Sequence, residues 1–103
     1  MTTIANNLQQ VLGRMAQACK AAGRDPASVS LLAVSKTFGA DAVLEAVAAG
    51  QRDFGENYIQ EGVDKIAAVH AALPGAALQW HCIGPIQSNK TRLVAEHFDW
   101  VHT

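Results

Sequence analysis

The chain has 103 residues, half of them apolar and 17% charged, with a formal net charge of −1. That composition belongs to one globular domain with a modest core, and it leaves no electrostatic footprint for nucleic acid. The apolar runs fall well short of the ~20 residues that cross a bilayer. Met1-Thr2-Thr3-Ile4 shows neither the basic nor the unbroken apolar region of a signal peptide. Cys19 and Cys82 lack CxxC spacing and read as two reduced thiols of a cytoplasmic protein.

Ile4, Leu8, Val11, Leu12, Met15 and Cys19 are spaced as one face of an α-helix over 3–22. Thr2 or Thr3 can cap its start, and Gly23 stands where a helix-ending glycine belongs. Asp25-Pro26-Ala27-Ser28 is turn chemistry. Ser30 to Lys36 reads as a strand whose apolar run, Leu31 to Val34, predicts burial on both faces, so that Val34→Asp would place an unpaired charge in the core. Asp41 is a candidate cap for a second helix carrying Val43, Leu44 and Val47, closed by Gly50.

The alternation then repeats. Residues 53–57 form a short strand, and Ile59, Val63, Ile66, His70 and Leu73 mark the face of a third helix ended by Pro74-Gly75. Leu78 to Gly84 is a third strand. Ser88 or Asn89 can cap a fourth helix through Leu93, Val94 and Phe98, and Asp99 to Thr103 begins a fourth strand. A leading helix over 1–24 followed by strict β-α alternation over 30–103 predicts right-handed crossovers and a parallel sheet. A (β/α)8 barrel takes about 250 residues. The chain therefore reads as one partial domain: three βα units and the fourth strand of a TIM barrel, ending without a cap or polar tail. The open sheet edges of such a half barrel predict self-association.

In parallel α/β folds the chemistry sits at the carboxyl ends of the strands. Lys36 stands directly after the first strand. Partial desolvation there would favour the neutral amine, a nucleophile toward carbonyls; a rim lysine reaching to water is the alternative. Glu56 and Asn57 end the second strand. Either can orient a ligand, and Glu56 can act as acid or base, or serve as an N-terminal acid for the following helix. Asp53-Phe54-Gly55 spells the kinase triplet, but no Gly-rich loop accompanies it. His81 and Cys82 are adjacent on a strand and point to opposite faces, which argues against a shared metal; His81 either faces the barrel interior or is a packed, hydrogen-bonded histidine. The other histidines lack metal-ligand spacing. Gly84 to Lys90 is a polar loop without a phosphate-binding fingerprint.

Four segments coincide in order: Leu32-Ala33-Val34-Ser35-Lys36-Thr37, Gly50 to Tyr58, Gln60 to Lys65, and Trp80 to Lys90. Together they resemble the pyridoxal phosphate homeostasis proteins, the YggS/PROSC family, through nearly all of 30–103. The resemblance implies the N-terminal half of an alanine-racemase-like TIM barrel that carries pyridoxal 5′-phosphate (PLP). It makes Lys36 the expected Schiff-base lysine and sets Asn57 and His81 on the cofactor side of the barrel mouth. It further implies a role in holding and delivering PLP to apo-enzymes in the cytosol, without established turnover and without a metal. Phe38 stands where many relatives carry a second lysine. The family's phosphate cup comes from later strands. Two other readings remain: a racemase-like enzyme, for which Tyr58 is the only tyrosine, and a half barrel that binds no cofactor.

Overall fold

The computed structural model describes residues 3–102, in two units: residues up to Leu31, and Leu32 onward. In the first, α1 spans Thr3–Ala21, with Leu8 and Cys19 buried and Val11 and Leu12 exposed. Thr3 already lies within the helix, and Thr2 as a cap lies outside the described residues. Gly23 ends α1 in a left-handed conformation (φ 67°), letting the Arg24 N–H reach the Cys19 carbonyl at 2.8 Å. Asp25 then caps a 3-10 turn, Pro26–Ser28, through the Ala27 N–H.

The second unit alternates β1 (Ala33–Val34), α2 (Ala40–Ala48), β2 (Asp53–Glu56), α3 (Ile59–Ala72), β3 (Gln79–Cys82), α4 (Thr91–His97) and β4 (Trp100–Val101). All neighbouring strands are parallel, in the order β1-β2-β3-β4. A doubly wound sheet reverses its order at a switch point. Here every crossover advances the same way, as consecutive strands of a TIM barrel do. The α/β fold expected from the alternation is the one observed.

Alternate side chains divide the sheet's two faces. Phe54, Glu56, Trp80 and Cys82 are buried on the helix side. Cys82 joins Ile59 of α3 and Val94 of α4 in a core that Val63, Leu93 and Phe98 extend, and the Phe54 and Trp80 rings meet at 5.3 Å. The other face carries Val34, Gly55, His81 and Trp100 at one level of the register.

Several local expectations shift. The first strand is two residues long, and Val34 on it is 47% exposed where β1 pairs along one side with β2. Gly39, not Asp41, occupies the cap of α2; Asp41 lies in the first turn, where its charge favours the helix's positive end. The buried stripe of α3 is Ile59, Gly62, Lys65 and Val69, while His70 is exposed. Gly62 is there because an added Cβ would stand 2.9 Å from the Phe98 ring and 3.2 Å from Glu56. A 3-10 turn, Ser88–Lys90, precedes α4, so neither Ser88 nor Asn89 caps it; Lys90 holds that position.

Candidate functional site

Beyond the last residues of β1, β2 and β3 the chain makes three bends that share one end of the sheet. After β1, the Phe38 N–H returns to the Ser35 carbonyl at 3.1 Å and closes a turn over Lys36 and Thr37. Thr37 has φ 66°, a left-handed conformation that costs a β-branched residue about 1–2 kcal/mol. Its N–H donates to Glu61 Oε1 at 2.9 Å, which holds the turn against α3. Lys36 is exposed and, among the described residues, its ammonium has no ion-pair partner. The partly desolvated rim expected for Lys36 is therefore replaced by an open turn.

Behind that turn lies a buried polar cluster. Lys65 Nζ donates to the Ser35 carbonyl at 2.7 Å and to both oxygens of Glu56 at 3.0 and 3.1 Å; Glu61 Oε1 lies 3.4 Å away. The Ser35 hydroxyl donates to Glu56 Oε2. Glu56 is 0% exposed and Lys65 6%. Glu56 thus faces the helix layer as half of a buried ion pair, and is neither ligand-facing nor a helix cap. Two charges are removed from water here, which is tolerated only because their hydrogen-bonding capacity is nearly filled.

Asn57 follows Glu56 just past the end of β2, the strand that pairs with β1. Its Oδ1 is buried and has no hydrogen-bond partner among the described residues. Such an orphan acceptor is costly unless a ligand satisfies it. Across from it, Gly84 lets the two bends approach: a Cβ there would stand 2.6 Å from the Asn57 carbonyl oxygen. A groove of about 480 Å³ opens beside these residues, lined in part by Asn57, Tyr58, Pro85, Gln87 and Lys90.

His81 sits lower on the open face. Its Nε2 lies 3.1 Å from Asp53 Oδ1 and its Nδ1 2.9 Å from His102 Nε2. The ring stacks on Trp100, whose indole N–H donates to Gln79 at 2.7 Å. Both ring nitrogens are engaged, so Asp53, His81 and His102 form a chain and not a chelate; no metal-ligand cluster occurs among the described residues. The structure therefore sets Lys36 and Asn57 just beyond the ends of the paired strands β1 and β2, with His81 within β3, and the groove beside Asn57 is lined by Lys90 and not by Lys36. Lys65 and Glu61 were not legible as site residues. The available signal for Lys65 was a lysine in register with Ile59, Gly62 and Val69.

The chain is 63% identical over all 103 residues to the pyridoxal phosphate homeostasis protein of Pseudomonas aeruginosa, and 58% identical to those of Vibrio cholerae and Escherichia coli K12. It is homologous along its whole length to that family. It spans 43–44% of the length of these relatives. Among solved structures it resembles PipY of Synechococcus elongatus with PLP bound: TM-score 0.77, 45% identity, 97% of this chain and 41% of PipY. A protein of unknown function from Bifidobacterium adolescentis superposes with a TM-score of 0.88 at 34% identity, over 96% of this chain and 43% of its own. No family model matches the chain. No helix among the described residues is long and apolar enough to cross a membrane.

Proposed function

We propose that this chain carries the Lys36 side of a PLP site, within a protein that holds PLP reversibly for cytoplasmic cofactor homeostasis. One observation carries the reading. An exposed amine and a buried amide oxygen, both without a partner among the described residues, follow the ends of two paired strands, in a chain whose structural neighbour was solved with PLP. PLP supplies an aldehyde that a neutral amine attacks. Lys36 is the amine, forming a Schiff base with release of one water. Asn57 Oδ1 accepts a hydrogen bond from a polar group of the bound cofactor, removing the cost of its burial. His81 supports the floor of the open face through its ring, since both of its nitrogens are already engaged. Apo forms of PLP-dependent enzymes are the proposed recipients.

The test is an absorbance titration with PLP, then borohydride reduction and peptide mapping. The reading expects the reduced adduct on Lys36 and its loss in Lys36→Ala. A label spread evenly over Lys36 and the exposed Lys20 rejects it.

A further inference from the structure

We propose that the buried Glu56–Lys65 pair, together with Ser35 and Glu61, is a positioning device that aims Lys36 and reserves it as the reactive amine. This rests on Lys36 being the amine that captures PLP.

The residues on either side of Lys36 are held, and Lys36 itself is not. On one side, the Ser35 carbonyl accepts from Lys65 Nζ at 2.7 Å, its hydroxyl donates to Glu56, and its N–H donates to the Gly55 carbonyl at 2.9 Å. On the other, the Thr37 N–H donates to Glu61 Oε1 and the backbone stays at φ 66°. Each partner comes from β2 or α3, so the turn is fastened to the two elements behind it. A surface turn fixed at both flanks presents its middle side chain from a constant base. Preorganisation of that kind is what an addition reaction needs from a nucleophile.

The cluster has a second consequence. Lys65 is the amine packed behind this turn, and its Nζ is buried against the Ser35 carbonyl, Glu56 and Glu61. Its donors are taken by these partners and its side chain is buried. Of the two, Lys36 is the amine left exposed. In the covalent step Lys36 Nζ adds to the aldehyde carbon. As C=N forms, the aldehyde oxygen leaves as water with both protons of the neutral amine.

The experiment follows the rate of PLP capture and the site of borohydride-trapped label in four forms: wild type, Glu61→Ala, Glu61→Gln, and the neutral double variant Glu56→Gln/Lys65→Met. Urea midpoints are measured in parallel. Glu61 is partly exposed, so Glu61→Ala is expected to fold. It should slow labelling of Lys36 about tenfold, the scale of a small misplacement of a reacting group. Glu61→Gln keeps an acceptor oxygen for Thr37 and should restore the wild-type rate, which a general loss of stability would not predict. The double variant should lose selectivity for Lys36 over Lys20. Selective labelling of Lys36 at the wild-type rate in both Glu61→Ala and the double variant overturns the positioning role and leaves the PLP reading standing. A wild-type label with no preference for Lys36 overturns both.

Discussion

Lys65 Nζ donates to the backbone carbonyl of Ser35 at 2.7 Å, joining positions 30 residues apart inside the helix-facing layer. The contact ties α3 to the end of β1, and Glu56 at 3.0 Å supplies the countercharge. Removing one partner leaves the other charge buried alone. Lys65→Met is therefore expected to cost about 3–5 kcal/mol. Adding Glu56→Gln to it should recover much of that loss, because the unpaired carboxylate disappears. Urea denaturation of the single and double variants decides the matter: equal losses in both would mean that the ionic pairing is not what the fold feels.

Gly84 is the tightest backbone approach on the β2–β3 side of the site. A methyl group there meets the Asn57 carbonyl oxygen at 2.6 Å and the Asn57 Cα at 3.0 Å. Both neighbours are backbone, so the strand end itself must move. Gly84→Ala should destabilise the chain by about 1–3 kcal/mol. It should also shift the amide resonances of Asn57 and Tyr58 in a 1H–15N spectrum. Gly13, in α1, has nothing within 4 Å of an added Cβ. Gly13→Ala is expected to stabilise by about 0.5–1 kcal/mol. Thermal melts of the two variants should thus move in opposite directions.

Phe54 and Val34 face opposite sides of the sheet, and their burial separates them as mutational targets. Phe54 is 1% exposed and packs on Trp80, so Phe54→Ala should cost about 3–5 kcal/mol. Val34 is 47% exposed on a strand paired along one side only. Val34→Asp should then cost well under half as much as Phe54→Ala, against the core position that its apolar run suggests. Chemical denaturation of the two variants gives the comparison directly.

That contrast shows what periodicity can and cannot carry. The order of elements was readable because amphipathic spacing and turn chemistry are local: Gly23 and Gly50 each end a helix with positive φ, and Pro74-Gly75 follows α3. Which strand face is covered is not local. Leu31 to Val34 looks the same in sequence whether or not an element packs on its open side. Lys65 was unreadable for a related reason. A lysine spaced among Ile59, Gly62 and Val69 breaks the apolar pattern, and only the tertiary pairing with Glu56 explains its burial. The candidate site divides the same way: Lys36 and Asn57 could be placed at strand ends from topology, whereas the hydrogen bonds of His81 depend on Asp53 and His102 meeting across three strands.

The His81 chain also fixes a proton. An ionised Asp53 carboxylate only accepts, so the 3.1 Å contact requires the hydrogen on His81 Nε2. In the neutral ring Nδ1 is then the acceptor, and the 2.9 Å contact requires His102 to donate from its own Nε2. Long-range 1H–15N correlation spectra of the neutral rings should therefore show both histidines as the Nε2–H tautomer. Asp53→Ala removes the acceptor that orders this chain. It should cost about 1 kcal/mol, the net worth of one such hydrogen bond, and release His81 into a mixture of tautomers. A neutral His81 ring carrying its hydrogen on Nδ1 alone would contradict the arrangement, because Asp53 and Nε2 would then face each other as two acceptors.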